Sequence, residues 1–276
     1  MGAYQLAVFG DPIQHSLSPQ IHSLFAQQLG LSISYYKLLV KRGNLATALR
    51  KFHQQAGHGA NLTLPLKEEA FALLEHTSIR AGKAKAVNTL IRDGPYGWYG
   101  DNTDGVGLVN AIKTMPILLK DKKILVIGAG GACRGVLYPL LKENPVSITV
   151  TNRTVEKARL LADEFGIAYI SMPEAHKKNY DMVINATSST LQGKMPEIHP
   201  QIFSGCELAY DMMYGVVRNP FLSKAREHQV PMVSDGLGML VYQAAESFFL
   251  WTGQRPAVQP VLYELARLLG FSEGTI

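Results

Sequence analysis

Cysteine and long apolar runs are both scarce in this chain. Its two cysteines, Cys133 and Cys206, show neither a metal-ligand spacing nor the density of a disulfide-rich secreted scaffold, which favours a reducing, cytoplasmic location. The N-terminus lacks a basic segment followed by a long apolar run, so we expect no secretion signal. The charge-poor stretch between Asp11 and Lys37 holds too many Gln, His and Ser residues to span a bilayer, and we expect no membrane partner.

Charged residues are also scarce, at 18% of 276 residues, and the net charge of +5 is scattered along the chain. A nucleic-acid-binding surface needs denser clusters of Lys and Arg, so we expect no nucleic-acid partner. A mild positive balance also fits small anionic ligands. The eight histidines form no metal-binding motif, and we predict no metal and a solvated or packing role for His15 and His22.

Strand and helix patterns alternate along the whole chain, which predicts an α/β architecture. We expect Ser18 and Asn44 to cap the first two helices, which end near Gly30 and Gly57. Asp93-Gly94 predicts a hairpin that adds an antiparallel pair to an otherwise parallel sheet. The strands predicted in this part of the chain cover residues 4–10, 33–39, 60–64, 86–91 and 96–99.

Beyond residue 122 the pattern predicts a doubly wound parallel sheet. A short apolar strand runs into a glycine-rich turn and a helix, and further short strands follow at intervals. The predicted strands are 123–127, 147–151, 168–170, 181–185 and 207–211, and the predicted helices are 131–142, 155–165, 236–251 and 261–269.

The last two helices look like a return to the first domain. We therefore expect two α/β domains with a cleft between them. One is a discontinuous, mostly parallel-sheet substrate domain of residues 1–104 and 237–276, and the other is a Rossmann-type domain of residues 105–236. Glycine-rich crossings near Gly105 and Gly236 suggest a cleft that closes on its ligands.

The glycine-rich turn predicts a dinucleotide site, because its backbone amides and the following helix N-terminus can meet a pyrophosphate. A tight turn without a ligand is the alternative, and Cys133 makes the glycine fingerprint imperfect. The next strand ends in Asn152-Arg153-Thr154 rather than in an acidic residue, and Arg153 can bind a ribose 2′-phosphate, which favours NADP over NAD. Thr154 could equally just cap a helix. The turn consists of Gly128, Ala129, Gly130, Gly131 and Ala132.

Six ordered motifs are spread over nearly the whole chain. They are His15-Ser16-Leu17-Ser18-Pro19, Asn61-Leu62-Thr63-Leu64-Pro65-Leu66-Lys67, Ala86-Val87-Asn88-Thr89, Gly100-Asp101-Asn102-Thr103-Asp104-Gly105, Asp211-Met212-Met213-Tyr214, and Asp235-Gly236-Leu237-Gly238-Met239-Leu240-Val241-Tyr242-Gln243-Ala244-Ala245. Together they resemble those of the shikimate dehydrogenase family. The resemblance implies reversible reduction of 3-dehydroshikimate to shikimate by NADPH, a step in chorismate and aromatic amino acid biosynthesis. We therefore expect an enzyme that acts on a small-molecule substrate, as a monomer or a homodimer.

The resemblance also implies which residues form the site. Ser16 and Ser18 would hold a substrate carboxylate, although Ser18 could also simply cap its helix. The ring hydroxyls would meet Asn61, Thr63, Asn88 and Gln243, and Tyr214 would reach the substrate. The cofactor would meet Thr187, Met212 and Gly236 besides the glycine turn and Asn152 to Thr154, although core packing is an equally good interpretation of Met212.

Lys67 and Asp104 are the residues we expect to carry catalysis. Hydride delivery to a ketone builds charge on oxygen, which a nearby acid must neutralise. Lys67 would donate or accept the proton while Asp104 orients it, and the sequence does not apportion these roles. A lone Lys is more often a solvated charge, but here the same loop also carries Asn61 and Thr63.

Two positions depart from the family pattern, and two alternative functions stay open. Ile79 stands where some relatives have an acidic residue, and Thr190 stands where Gly is common. One alternative is a quinate/shikimate dehydrogenase of broader substrate and cofactor use, against which Arg153 and the paired serines argue. The other is a non-catalytic NADP-binding sensor on the same scaffold.

Overall fold

The computed structural model describes residues 3–95, 97–215 and 219–270. The chain divides into two compact units. The first comprises Met1–Gly107 with Leu240–Leu265, and the second comprises Leu108–Met239 with Ala266–Ile276. The second unit thus takes in the end of the chain, whereas the expected substrate domain includes all of residues 237–276. Each unit has its own sheet and its own core.

The first unit contains a mixed five-stranded sheet. Its first three strands pair in parallel, as expected for this sheet outside the hairpin. The last two form the predicted antiparallel hairpin, which is thereby confirmed, although Tyr96 lies outside the described residues. The strands are β1 (Tyr4–Gly10), β2 (Ile33–Leu39), β3 (Gly59–Leu62), β4 (Thr89–Asp93) and β5 (Gly97–Asp101), in the order β2-β1-β3-β4-β5.

Five helices accompany or follow this sheet. The first two were predicted from their apolar spacing, and the other three, each of ten residues or fewer, were not. The core between helices and sheet includes Phe9, Leu45, Phe52, Leu90 and Trp98. The helices are α1 (Ser18–Leu29), α2 (Leu45–Gln54), α3 (Lys67–Leu73), α4 (Ile79–Ala84) and α5 (Asp104–Lys113).

The prediction that Ser18 caps α1 is wrong. The N-cap position belongs to Leu17, whose carbonyl accepts the Ile21 amide at 3.0 Å and whose side chain makes no cap bond. Ser18 is instead the first helical residue, and the Ser16 hydroxyl accepts its backbone N–H at 3.3 Å. Pro19 therefore occupies the second helical position, which still lacks an intrahelical acceptor for its nitrogen.

The capping of α2 also differs from the prediction. Asn44 stands at the N-cap position but its side chain makes no cap bond. The carboxylate of Glu69, on α3, accepts the amides of Gly43 and Leu45 at 2.9 and 3.3 Å. A carboxylate from a neighbouring helix reaches two amides at once and adds favourable charge at the helix N-terminus.

The second unit contains a six-stranded sheet in which every pair is parallel, which confirms the predicted doubly wound sheet. The order reverses between β6 and β9, which is the point where such sheets bind ligands at the carboxyl ends of their strands. The strands are β6 (Lys123–Ile127), β7 (Ser147–Asn152), β8 (Ala168–Ser171), β9 (Met182–Asn185), β10 (Leu208–Asp211) and β11 (Met232–Ser234), in the order β11-β10-β9-β6-β7-β8.

Three helices belong to this sheet. They are α6 (Gly131–Lys142), α7 (Val155–Phe165) and α8 (Pro220–Glu227), and the first two have the predicted bounds. Thr154 stands at the N-cap position of α7, but its side chain makes no cap bond, so capping does not explain this residue. The core on one face of the sheet includes Leu125, Ile127, Phe203 and Phe221.

The chain ends with α9 (Leu237–Thr252) and α10 (Val258–Leu268). The greater part of α9 belongs to the first unit, where Trp251 donates from Nε1 to the Leu90 carbonyl at 2.9 Å. A Cβ on Gly59 would lie 2.2 Å from the Trp251 indole, so only glycine lets β3 pass so close to this helix. Within the described ranges no helix has the length and apolar character needed to cross a membrane.

Candidate functional site

Lys67 and Asp104 form an ion pair in the first unit. Lys67 begins α3 and Asp104 begins α5, so each side chain is fixed at a helix N-terminus. Lys67 Nζ lies 2.6 Å from Asp104 Oδ2, and the two side chains are 28% and 21% exposed. The pair is therefore held inside the protein while still open to a small ligand.

Asp104 is held by more than its bond to Lys67. Asn88 Nδ2 donates to Asp104 Oδ1 at 2.8 Å, so both carboxylate oxygens have a protein donor. The Asn102 side chain accepts the backbone N–H of Asp104 at 3.1 Å. The backbone of Thr103 donates to Asn88 Oδ1 at 2.9 Å, which fixes the orientation of the Asn88 amide. Asp104 is thus oriented before any ligand arrives.

Gln243 on α9 completes this group. Its Oε1 accepts from Asn88 Nδ2 at 3.3 Å, and its Nε2 donates to the Leu240 carbonyl at 2.8 Å. One helical turn later, the Ser247 hydroxyl donates to the Gln243 carbonyl and lies 3.2 Å from the Thr103 hydroxyl. A segment near the end of the chain therefore closes the site formed by the earlier strands.

Asn61 lies behind Asn88 and is only 6% exposed. Its Nδ2 donates to the Asn88 carbonyl at 3.2 Å and to Ser247 Oγ at 3.1 Å. Its Oδ1 accepts from the Tyr35 hydroxyl at 2.7 Å and from His22 Nε2 at 3.2 Å. Both ends of the Asn61 amide are thus engaged inside the protein.

His22 is the deepest member of this network. It is fully buried, stacks on Tyr35 with ring centroids 4.7 Å apart, and packs against Phe248 and Trp251. Burial lowers the pKa of His22 to about 3, despite the bond to Asn61, so the ring is neutral and donates from Nε2. His22 is thus a packing residue, one of its two expected roles, and His15 is exposed.

Ser16 and Ser18 lie together at the start of α1. Their hydroxyls are 3.2 Å apart, and Ser18 is buried while Ser16 is half-buried. The Ser18 hydroxyl also meets that of Tyr35, whose pKa burial raises, so that Tyr35 stays a protonated donor. Thr63 follows β3 and is half-buried, and its methyl carbon lies 2.4 Å from the place that a Cβ on Gly10 would take.

In the second unit, the turn after β6 presents backbone rather than side chains. Gly128 has φ +118°, which favours glycine, and its amide donates to the Thr151 carbonyl at 2.7 Å. Gly130 to Ala132 are exposed, and a Cβ on Gly130 would meet nothing within 4 Å. The N-terminus of α6 is therefore uncovered and open to an anionic group.

Arg153 lies exposed beyond the end of β7, next in the sheet to the glycine turn. Asn152 Nδ2 donates to the Thr154 carbonyl at 3.0 Å, which holds the bend that carries Arg153. An arginine in this place can form a charge-assisted pair of bonds with a phosphate. These residues fit a dinucleotide that carries a 2′-phosphate.

Thr187, Met212 and Gly236 lie on three further segments of the second unit. The Thr187 hydroxyl donates to Asn185 Oδ1 at 2.7 Å. Gly236 donates its amide to the Met213 carbonyl at 3.0 Å, and a Cβ on Gly236 would lie 2.2 Å from the Met212 carbonyl oxygen. Glycine is therefore required at 236 for the two loops to touch, and Met212 is buried between them at 6% exposure.

The buried carboxylate of Asp211 ties two of these segments together. It accepts from Asn219 Nδ2 at 2.8 Å and from Asn185 Nδ2 at 3.2 Å. Burial raises the pKa of Asp211, although these donors act in the opposite direction. Tyr214 is half-buried in the same unit, and its expected contact with substrate stays a prediction.

The two departures from the family pattern are placed differently. Ile79 is the 72% exposed first residue of α4, behind Ser78, whose side chain caps this helix. Thr190 is fully buried in the 3₁₀ turn Ser189–Gln192. Among the described residues, no cluster of three or more His, Cys, Asp or Glu side chains could hold a metal ion.

Known proteins match most of the length of the chain. Family models described as the shikimate dehydrogenase substrate binding domain, shikimate / quinate 5-dehydrogenase and the shikimate 5'-dehydrogenase C-terminal domain match residues 8–90, 110–193 and 236–262. The NADP(+) shikimate dehydrogenase of Vibrio cholerae is 48% identical over 270 residues, which cover 96% of each chain. The chain belongs to the shikimate dehydrogenase family.

Another curated relative and two solved structures are also similar to this chain. The enzyme of the same name from Dechloromonas aromatica is 48% identical over 94% of this chain and 96% of that protein. Among solved structures, shikimate 5-dehydrogenase from Thermus thermophilus in complex with NADP(H) and shikimate has a TM-score of 0.86 at 35% identity, covering 96% and 99% of the two chains. The Ael1 enzyme from Pseudomonas putida has a TM-score of 0.91 at 35% identity, covering 95% and 98%.

Sequence reasoning missed several members of the site. Ser247 stands four residues after Gln243, on the same helix face, and this spacing could have revealed it. Thr103 and Asn102 lie inside the motif of residues 100–105, of which only Asp104 was predicted as a site residue. His22 and Tyr35 carry no such local signal, because only the fold brings them to Asn61.

Proposed function

We propose that this member of the shikimate dehydrogenase family reversibly reduces 3-dehydroshikimate to shikimate with NADPH, a step in chorismate and aromatic amino acid biosynthesis. The observation that carries the proposal is the Lys67–Asp104 pair, 2.6 Å apart and held by Asn88, in a chain 48% identical to an NADP(+) shikimate dehydrogenase. An oriented ammonium beside a carboxylate matches the proton transfer that ketone reduction needs.

Lys67 is the proposed proton donor to the ketone oxygen in the reduction. NADPH, when bound, supplies the hydride. The ammonium group also stabilises the negative charge that develops on that oxygen, and in the reverse reaction the neutral amine takes the proton back. Asp104 keeps the ammonium aimed at this point and accepts a hydrogen bond from the substrate hydroxyl. Because Asn88 and Asn102 fix Asp104, little reorganisation is needed when substrate binds.

The hydroxyls of Ser16 and Ser18 are the proposed ligands of the substrate carboxylate. They are neighbours at the start of α1, where backbone amides add positive potential. Thr63, Asn88 and Gln243 are the proposed partners of the ring hydroxyls. Asn61, also expected there, acts through Asn88, since its amide is engaged inside the protein. Tyr214 remains a proposed substrate contact.

The second unit is the proposed NADP site. The exposed amides of Gly130 to Ala132 suit a pyrophosphate, and Arg153, with Asn152 and Thr154, suits a ribose 2′-phosphate. Thr187, Met212 and Gly236 are proposed to lie by the nicotinamide. Both cysteines are free and buried, in keeping with the proposed cytoplasmic location.

Broader use of quinate and NAD is the second candidate, favoured by the family description that names both shikimate and quinate. Four parallel reactions, with shikimate or quinate and with NADP or NAD, followed by the absorbance of the reduced nicotinamide, decide between the two. Fast reduction only with shikimate and NADP supports the proposal, and comparable rates with quinate or NAD favour the broader enzyme. Binding of NADP without any reaction would point to the sensor.

A further inference from the structure

Four side chains of alternating charge form a row beside the site in the first unit. Arg80, on α4, makes two parallel bonds of 2.7 Å to Asp101 through Nε and Nη2. The same guanidinium reaches Glu246 Oε1, on α9, at 3.2 Å. Arg255 binds the other oxygen of Glu246 at 2.9 Å and lies over the Phe249 ring. Arg80 therefore joins two carboxylates from separate parts of the chain.

Asp101 connects this row to the catalytic carboxylate. Its Oδ1 accepts the Asn102 amide at 2.6 Å and also the Ser78 hydroxyl. Asn102 in turn accepts the amide of Asp104 at 3.1 Å. The turn between β5 and α5 is therefore pinned at Asp101 by Arg80, three residues before Asp104.

Glu246 connects the row to the substrate side of α9. It stands between Gln243, which meets Asn88, and Ser247, which meets Asn61. A shift of Glu246 toward solvent would rotate or move this helix, because 11% exposure leaves its side chain little room of its own. The contact with Arg80 therefore fixes the position of α9 along its axis, and its rotation about that axis, relative to the β5–α5 turn.

We propose that Arg80 is a positioning residue for the reaction, acting through Asp101 on Asp104 and through Glu246 on Gln243. The proposal rests on the proposed function, since it assumes that Asp104 and Gln243 serve the substrate. Without Arg80, two carboxylates with 5% and 11% exposed side chains would face one another without their shared cation. Their repulsion and their need for water would move the turn and the helix apart.

The test compares Arg80→Met and Arg80→Lys with Arg255→Met, which removes the outer cation and leaves the Arg80 bonds in place. For Arg80→Met we expect kcat with shikimate to fall by about 10- to 100-fold, the usual cost of misplacing a catalytic group by about 1 Å. The KM for shikimate should rise because Gln243, a proposed substrate contact, is displaced. The KM for NADP should stay within about twofold, because the residues proposed to bind NADP lie in the second unit.

Arg80→Lys should recover part of kcat, since an ammonium keeps the charge but cannot bond both carboxylates in a fork. Arg255→Met should leave kcat and the KM for shikimate within about twofold of the wild type. A purely structural role predicts a lower Tm with unchanged kcat for the folded protein, and that result would overturn the proposal. If Arg80→Met does not fold, Glu246→Gln decides, with a loss in kcat/KM for shikimate supporting the proposal and parity with Arg255→Met overturning it.

Lys67→Ala is measured in parallel to separate two kinds of failure. Loss of turnover in Lys67→Ala together with unchanged turnover in Arg80→Met rejects the positioning role alone. A wild-type protein that turns over neither shikimate nor quinate rejects the proposed function, and the positioning role with it.

Discussion

The two units prepare for their ligands in different ways. In the first unit, side chains that would meet substrate already bond to one another, as in the Lys67–Asp104–Asn88–Gln243 chain of contacts. In the second unit, the residues proposed to meet the cofactor are the exposed glycines Gly130 and Gly131 of the turn and the exposed Arg153. One site is organised by side-chain pairing, and the other by the geometry of a turn.

This difference sets how each site responds to change. A network of buried polar groups orients its members but leaves them costly to disturb, because a lost partner leaves a buried group unsatisfied. Ligand binding at an exposed turn depends on the backbone conformation of one or two glycines. Removal of one exposed side chain there costs only the contact between that side chain and the ligand. We therefore expect substitutions in the first unit to act on turnover and stability, and those in the second to act on cofactor affinity.

The largest expected effect is that of Lys67→Ala. Loss of the positioned proton donor should lower kcat by about 10² to 10⁴, with a smaller change in the KM for shikimate. Steady-state rates with shikimate and NADP measure it, and Lys51→Ala on the exposed face of α2 is the control. Unchanged turnover would show that the pair only looks like a catalytic site.

Arg153→Leu tests the proposed cofactor site of the second unit. Removal of one charge-assisted contact should raise the KM for NADP by about 10- to 100-fold while kcat and the KM for shikimate change little. The KM for NAD, which lacks the 2′-phosphate, should stay nearly constant. Arg50→Leu, an exposed arginine of α2, is the matched control, and equal losses for NADP and NAD would contradict the assignment.

His22→Phe tests how deep the first network reaches. Unfolded His22 takes up a proton near its usual pKa of 6.5, whereas the folded ring does so only at about 3. The wild-type protein should therefore lose stability as the pH falls between these values, by about 2 kcal/mol from about pH 7 to about pH 5.

The Phe variant keeps a ring in the aromatic cluster and removes this contribution, so its stability should depend less on pH. Urea unfolding at both pH values measures the difference, with His15→Phe, at an exposed position, as control. Parallel pH dependence in the wild type and His22→Phe would show that His22 is not the group responsible.

The smallest expected effect concerns the α2 cap. Glu69→Ala should cost about 1 kcal/mol, since it removes the acceptor of two helix-terminal amides, whereas Asn44→Ala should cost almost nothing. Urea unfolding compares the two variants directly. A larger cost for Asn44→Ala would restore the capping role that the sequence suggests.

The sequence predicts best where a single local signal governs structure. Strand β1, strand β2 and helices α6 and α7 begin and end where apolar spacing and glycine place them. Helices α3, α4 and α5 are short and follow motif-rich loops, so periodicity does not reveal them. The Glu69 cap joins residues more than twenty positions apart, and no local pattern announces it.

The same distinction applies to the site. Lys67 and Asp104 are 37 positions apart, and only the resemblance to a known family pairs them in advance. The contact of Asn61 with Ser247 spans 186 positions and follows from the fold alone. Arg80 shows the limit most clearly, because its role depends on two carboxylates that meet only when α4, β5 and α9 are assembled.

The return of α9 to the first sheet also bears on the order in which a growing chain can fold. The six strands of the second unit's sheet have all been made by Ser234, whereas the strands of the first sheet still lack their hydrogen bonds to Trp251 and Ser247 of α9 at that point. During synthesis from the N-terminus, the sheet that begins later can therefore be completed before the earlier sheet has its α9 contacts. Until α9 has been synthesised, Leu90 and Asn61 of the earlier unit lack the hydrogen-bond partners that α9 provides.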